Sequence, residues 1–392
     1  MYITYRLSNT ATEEEQQQTS FASLFDNFNA FLCTRSNNRV MPTNFFKTYT
    51  KYVPKEEAEK NRAQLIDKYN VYKMYDNLVK VSQSVMHLRN EDLNQRYHIF
   101  KIPKKTGGFR TIEAPDDILK HHQRAVLHLF QNIFRILPHN ASFAYMEGRS
   151  AKEALEQHQK NKSRWFLKID IKDFFPSITY PLICSKLNNI FPITPLLRYN
   201  GDGIQHLDNC IQICLKDEKL PQGTPISPFL SNIVMTDYDY KLTNKLRWYK
   251  EQHFVYTRYA DDIIISSKYH FDWKEIQDLV QEILGNAFEI KKEKTRYGSS
   301  AGRNWNLGLM LNKDNNITIG WRKKERLRAT IHNLFRSYSN QEEINRDDVY
   351  HIQGIVSYYR KINAETVDNI INRQEIKWNL KYKEVIKNLI KY

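Results

Sequence analysis

The sequence predicts an α+β fold built around an antiparallel sheet, and three observations carry that expectation. The stretch Phe254–Lys268 sets two runs rich in β-branched and aromatic residues on either side of Asp261-Asp262, the pattern of a buried hairpin with its carboxylates at the turn. Upstream, Phe166-Leu-Lys-Ile-Asp170-Ile-Lys-Asp173 is a second apolar strand that ends in acids. Around these strands lie segments with helical spacing, among them Leu119–Leu137 with Val126, Leu129, Ile133 and Phe134 on one side. A chain of 392 residues can bury a large core and form two or three subdomains.

Adjacent carboxylates between apolar strands repel one another, and burial disfavours their ionisation. A hard divalent cation removes both difficulties, because Mg²⁺ prefers carboxylate oxygen and keeps part of its own water. Alone, the Asp261-Asp262 pair reads equally as a surface turn. With Asp170 on a neighbouring strand, the three acids would complete a two-cation site for in-line phosphoryl transfer.

Between the acidic stretches sits Leu220-Pro-Gln222-Gly223-Thr-Pro-Ile-Ser-Pro228, followed by the helix-like Phe229–Met235. The order of these three stretches, with Tyr259-Ala-Asp-Asp262 last, resembles the palm of reverse transcriptases, and most of all the bacterial retron and group II intron branch. The resemblance runs from about Tyr97 to about Arg373. It implies a right-hand polymerase of fingers, palm and thumb with an antiparallel palm sheet and an N-terminal helical extension. The expected division is an extension over 1–90, fingers over 91–160 and a first palm part over 161–180. A fingers/palm insertion over 181–219, a palm with primer grip over 220–320 and a helical thumb over 321–392 complete it.

Composition agrees with a polyanionic partner: 59 Lys and Arg against 44 Asp and Glu give a net charge of +15. Aromatics, 24 of them Tyr, are interleaved with the basic residues and suit base stacking as well as packing. Cys33, Cys184, Cys210 and Cys214 make no Cys-x-x-Cys unit, which disfavours zinc and a disulfide framework. No long apolar run is present to span a membrane, and the amino terminus lacks a basic-then-apolar signal, so a cytoplasmic protein without a membrane partner is expected.

Taken in order, Thr10–Ser20 is polar and acidic, Phe21–Leu32 has helical spacing, and residues 55–88 read as one or two helices with Ala58, Leu65, Tyr69, Tyr72, Leu78, Val81 and Val85 as apolar positions. These should form a helical layer on the next domain. Tyr97–Pro103 and Phe109–Pro115 alternate as strands around Lys104-Lys-Thr-Gly-Gly108, a hairpin with a basic tip. In the resembling enzymes this hairpin folds over the incoming nucleotide. Arg110 matches the arginine that holds the triphosphate, and Lys104 or Lys105 its basic partner, which neutralise phosphate without being consumed. His121, His122 and His128 lack ligand partners and read as surface or packing residues. Ser142–Ser150 resembles a family segment leading into a helix over Ala151–Lys160. Retron enzymes usually carry Asn-Ala-x-x-His there, whereas this chain has Ala154-Leu-Glu-Gln-His158.

By the same resemblance Asp170 is the first metal-binding aspartate, and Asp173 is structural or phosphate-adjacent. Phe175 matches the bulky residue beneath the sugar, where a ring leaves no room for a 2′-hydroxyl and thereby favours DNA synthesis. A helix over Pro181–Asn189 is followed by a Pro-, Gly- and Asn-rich loop to about Gly203. Gln222 and Gly223 match residues that line the nucleotide pocket, with glycine allowing close backbone approach. Lys294, in Phe288–Thr295, is the candidate general acid near the leaving pyrophosphate. Trp305–Asn312 and Ile317–Trp321 should pair around Lys313–Asn316 as the primer grip. The Val-Thr-Gly usual near this region of retron enzymes is missing.

The thumb begins near Trp321 with Arg322, Lys323, Lys324, Arg326, Arg328 and Arg336 against Glu325, a helix able to lie along a duplex backbone. Arg322, Lys323 and Arg326 are its expected nucleic-acid contacts. Gly354–Asn363 resembles a family thumb helix, and Ile376–Tyr392 reads as a third helix.

The resulting expectation is an RNA-directed DNA polymerase. Asp170 and Asp261 would hold two Mg²⁺ ions, with Mn²⁺ as a substitute, and Asp262 would support the site. Its partners would be an RNA template, expected to be a cognate non-coding RNA, a DNA or RNA primer, dNTPs and an associated effector protein. The two departures from the retron pattern point to a retron-like or unclassified defence-associated member serving against phage. Untemplated or protein-primed DNA synthesis by the same site is one alternative, and a non-catalytic RNA-binding scaffold is the other. Intact Asp170, Asp261 and Asp262 weigh against a scaffold, since an unused cluster of buried acids destabilises a fold.

Overall fold

The computed structural model describes residues 71–89, 91–104, 107–190, 193–198, 201–300 and 305–391. The predicted Thr10–Ser20 and Phe21–Leu32 segments, Ala58, Leu65, Tyr69 and Lys105 lie outside them.

Helix α1 (Val71–Arg89) buries Leu78, Val85 and Leu88 on one face, while Tyr72 is exposed. Strands β1 (Tyr97–Pro103) and β2 (Phe109–Pro115) pair antiparallel from Tyr97↔Pro115 to Pro103↔Phe109. Gly107 and Gly108, at φ 91° and 75°, reverse the chain where a side chain would be strained. Helix α2 (Asp117–His128) starts at Asp116, whose Oδ1 accepts from the Leu119 amide at 2.7 Å. The sequence predicts it to run on to Leu137. Instead Leu129–Ile133 widens into a π turn and the chain leaves the helix before Pro138, whose ring disfavours helical geometry in the preceding residue.

Helix α3 (Ala151–Lys160) has Ser150 as its cap, bonded in turn to Glu153, a capping box. Strand β3 (Trp165–Asp170) and helix α4 (Tyr180–Leu187) follow. The expected loop to Gly203 contains a further short helix, α5 (Ile193–Arg198), because Ile193 and Leu196, three apart, both enter the core. Next come α6 (Gly203–Gln212) and α7 (Ser227–Leu246), then β4 (Val255–Tyr259), β5 (Asp262–Ser267) and α8 (Trp273–Leu284).

Strand β6 (Arg296–Ser299) precedes β7 (Trp305–Asn306), β8 (Leu309–Leu311) and β9 (Ile317–Thr318). Trp305–Asn312 is therefore not one strand. It folds back on itself at Leu307-Gly308, both at positive φ (53° and 75°), the two-residue reversal that matches strand twist. The last part of the chain holds α9 (Trp321–Ser339), α10 (Arg346–Trp378) and α11 (Tyr382–Lys391). The predicted Gly354–Asn363 helix is the middle of α10, which breaks at Asn363 (φ −151°, ψ 88°). The third helix starts at Tyr382 rather than Ile376, since α10 continues to Trp378 and Asn379 turns the chain at φ 51°.

The chain divides into two compact units. One comprises 1–139 and 173–238 and carries the β1–β2 hairpin with α1, α2 and α4–α6. There Ser82 of α1 meets His206 and Asn209 of α6, each at 2.9 Å. The other comprises 140–172 and 239–392. It contains an antiparallel sheet in the order β4-β5-β3-β6 and a smaller one, β7-β8-β9. Phe166, Ile264, Leu309, Leu311 and Ile317 join both sheets in one apolar cluster with Leu155 of α3 and Ile362 of α10. The helices α9–α11 close a separate core around Phe335, Val349 and Ile371.

Candidate active site

Strands β3 and β5 are antiparallel, and their register sets Asp170 opposite Asp262. Strands β4 and β5 close at Tyr259↔Asp262, so Ala260 and Asp261 form the two-residue turn between them. Ala260 has φ 57°, unusual for a residue with a side chain. The Asp261 carbonyl accepts from the Ile171 amide at 3.1 Å, which ties the turn to the end of β3. Behind the turn Ile263, Ile264 and Ile265 are fully buried, so the acids sit on a packed apolar sheet. All three acids fall within one unit.

Charge is concentrated here. Burial raises the pKa of Asp261, and the neighbouring Asp262 and Asp170 carboxylates raise it further, while Lys291 acts the other way. Lysines gather on its partners. Lys168 Nζ lies 3.0 Å from Asp262 Oδ1, Lys291 Nζ 3.1 Å from Asp170 Oδ1, and Lys294 Nζ 3.4 Å from Asp170 Oδ2. Among the described residues no three His, Cys, Asp or Glu side chains form a ready-made cage for a metal ion. The donors nonetheless suit a hard divalent cation: hard oxygen, a half-buried Asp261 carboxylate whose negative charge its acidic neighbours oppose, and ammonium groups already drawn onto Asp170 and Asp262.

Lys294, the candidate general acid, thus stands beside Asp170. Lys168 and Lys291 went unnoticed in the sequence. Both have a signal in hindsight. Lys168 is two residues before Asp170 on one strand, hence on the same face. Lys291 caps and Lys294 ends a 3₁₀ turn (Lys292–Lys294), where residues three apart eclipse.

The predicted nucleotide contacts lie in the other unit. Lys104 and Arg110 are exposed at the hairpin tip, with the Lys104 amide donating to Gly108 O at 2.9 Å. The Glu113 amide donates to Gln222 O at 2.6 Å, which docks the Gln222-Gly223 loop on β2. Gly223 has φ 124°, and a Cβ there would stand 2.8 Å from Ile112 Cγ2. Glycine is required on both counts. Ile112 and Arg110, two apart on β2, share a strand face, so the loop and the arginine belong to one side of the hairpin. Phe174 is buried and packs edge-on against half-buried Phe175, centroids 5.4 Å apart, which makes Phe174 rather than Phe175 the core ring. Asp173, at φ 43°, uses its carbonyl to receive the Ser177 amide and hydroxyl, a structural turn.

On α9, Arg322 and Arg326 are exposed, whereas Lys323 is half-buried with its Nζ donating to the Gly308 carbonyl of the β7–β8 turn. His158 of α3 is fully buried between the Ser266 hydroxyl (2.6 Å) and the Thr257 hydroxyl (2.8 Å), pinning the helix to β5 and β4. Burial pushes its pKa down to about 3, so it is neutral.

Residues 102–334 match the family model described as Reverse transcriptase (RNA-dependent DNA polymerase). Retron Ec73 reverse transcriptase of Escherichia coli is 32% identical over 288 residues, covering 71% of this chain and 87% of that protein. The chain belongs to the retron-type reverse transcriptases. Retron Mx65 reverse transcriptase of Myxococcus xanthus is 29% identical over 298 residues, covering 72% of this chain and 65% of the other. Apo telomerase from Candida tropicalis overlaps 97% of this chain and 87% of its own at 14% identity and a TM-score of 0.44, a loose match.

This reverse transcriptase is an RNA-directed DNA polymerase with the mixed helical and antiparallel-sheet architecture of a right-hand polymerase. It acts on an RNA template, and its family works with divalent metal ions. No helix among the described residues is long and apolar enough to cross a membrane.

Proposed function

We propose that the enzyme extends a primer with dNTPs by two-metal phosphoryl transfer. Asp170 and Asp261 would hold two Mg²⁺ ions, replaceable by Mn²⁺, and Asp262 would support the site. The observation that supports this most is the pairing of Asp170 with Asp262 beside the turn that carries Asp261. When bound, the cations supply activation of the primer 3′-hydroxyl and stabilisation of charge on the departing pyrophosphate. The side chains supply the rest. Lys168 and Lys291 hold the Asp262 and Asp170 carboxylates by charge, and Lys294, beside Asp170, would give a proton to the leaving group. Lys104, Lys105 and Arg110 neutralise the triphosphate, Gln222 and Gly223 line the nucleotide pocket, and Phe175 excludes the 2′-hydroxyl.

We further propose a dedicated non-coding RNA as template, a DNA or RNA primer, and a cytoplasmic role in bacterial antiphage defence with an associated effector protein. Support comes from similarity to retron reverse transcriptases. The decisive experiment purifies the protein with its bound nucleic acid and sequences both RNA and DNA. One RNA species with complementary DNA supports the reading. DNA without a complement in that RNA would indicate untemplated or protein-primed synthesis. RNA alone, retained equally by Asp261→Asn, would indicate a scaffold.

A further inference from the structure

Close to the acids lies a buried ion pair with no part in the chemistry above. Arg258 and Asp239 are both fully buried. Arg258 Nε donates to Asp239 Oδ1 at 2.9 Å and Nη2 to Oδ2 at 2.8 Å, while the Tyr256 hydroxyl donates to Oδ1 at 2.6 Å. A third arm, Nη1, donates to the carbonyl of Ala260 at 3.2 Å. The Arg258 backbone is itself fixed, its amide donating to Ala141 O at 2.7 Å and its carbonyl accepting from Phe143 N at 2.9 Å.

An apolar set of similar volume often serves as well as a buried ion pair for stability alone. What the guanidinium adds is direction. Its planar fork fixes two donors on Asp239, and that sets the third within reach of the Ala260 carbonyl. That carbonyl belongs to the residue at φ 57° in the turn, a conformation disfavoured unless the surroundings impose it. The next carbonyl, of Asp261, is held by the Ile171 amide. Both carbonyls of the two-residue turn are therefore clamped, one from β4 and one from the end of β3.

We propose that Arg258, locked by Asp239 and Tyr256, is a positioning residue that fixes the Ala260-Asp261 turn and so aims the Asp261 carboxylate. The proposal rests on the reading of Asp261 as a metal ligand.

The test uses the full chain. A triple variant, Asp239→Leu with Tyr256→Phe and Arg258→Met, removes the network without leaving a buried charge or hydroxyl unpaired. Arg258→Lys keeps a cation beside Asp239 but loses the fork that reaches Ala260. Thermal melting reports the fold, Mn²⁺ binding to the protein free of nucleic acid is read by electron paramagnetic resonance, and primer extension gives kcat and KM for dNTP. Both variants should melt as cooperatively as the wild type and lose about 10–100-fold in Mn²⁺ affinity and kcat, as for other groups that orient metal ligands, with KM little changed. A folded variant with wild-type Mn²⁺ affinity and kcat overturns the proposal. So does a loss of kcat that follows melting temperature and disappears on cooling. Should the triple variant not fold, Arg258→Lys decides alone. Asp261→Asn is measured alongside. If it still extends primer, the metal-site reading fails; if it is inactive while the Arg258 variants are normal, only the positioning role fails.

Discussion

Asp170 and Asp262 face each other across β3 and β5, and each has a lysine within 3.1 Å, Lys291 on the first and Lys168 on the second. The two ammonium groups offset charge that the fold forces together. The arrangement makes the acids tolerable in the free protein.

Asp261→Asn tests the centre of that arrangement. An amide is a poor ligand for a hard cation, so primer extension should fall on the order of 10²-fold or more while the fold persists. Stability should not suffer, because Asp261 is the carboxylate whose ionisation burial and its two acidic neighbours oppose. Near wild-type extension by the folded variant would remove Asp261 from the site.

Phe175→Ala tests the sugar. Phe174, not Phe175, fills the core, so truncating Phe175 should leave the fold intact. Ribonucleotide incorporation should rise against matched dNTP while the metal requirement stays as it was. Unchanged discrimination would assign the exclusion of the 2′-hydroxyl to another residue.

His158 gives a pH dependence with a definite sign. Its folded pKa of about 3 lies below the ordinary 6.5, so the unfolded chain takes up a proton that the folded chain refuses. This contribution to stability is complete above about pH 6.5 and is lost as the pH falls toward 3, at about 1.4 kcal/mol per pH unit. Denaturant midpoints at pH 7 and pH 5 should fall more steeply for the wild type than for His158→Gln. Equal slopes would show that the imidazole is not buried neutral between Ser266 and Thr257.

What the sequence reveals and conceals follows from the range of the interactions. The Asp261-Asp262 hairpin is legible because alternation and a tight turn are local properties of consecutive residues. The Leu307-Gly308 reversal is hidden, because it lies within an apolar run that reads as one strand. Helix α5 is masked by Pro, Gly and Asn on either side of Ile193 and Leu196. Lys168 and Lys291 matter only through the register of β3 with β5 and the 3₁₀ turn after Lys291, neither of which composition shows. Arg258 and Asp239 are 19 residues apart on a strand and a helix, and only the packing of α7 against the sheet makes them a pair.

Helix α9 separates a structurally engaged lysine from two exposed arginines. Lys323 is held by the Gly308 carbonyl, whereas Arg322 and Arg326 are exposed on the same helix. Each arginine that neutralises a phosphate releases about 0.9 of a counterion on duplex binding. Replacing Arg322 and Arg326 with Gln should weaken template-primer binding and make its logarithmic salt dependence shallower by roughly two units. Adding Lys323→Gln should change the slope no further, since that charge is already engaged, but should loosen the β7–β8 turn and lower the melting temperature. Extension at saturating nucleic acid should suffer less than binding does. A slope that shifts by roughly three units in the triple variant would return Lys323 to the phosphate-binding set. An unchanged slope in both would mean that α9 presents a solvated face, and the charge that holds the polyanion would then be sought in the β1–β2 hairpin or the amino-terminal part of the chain.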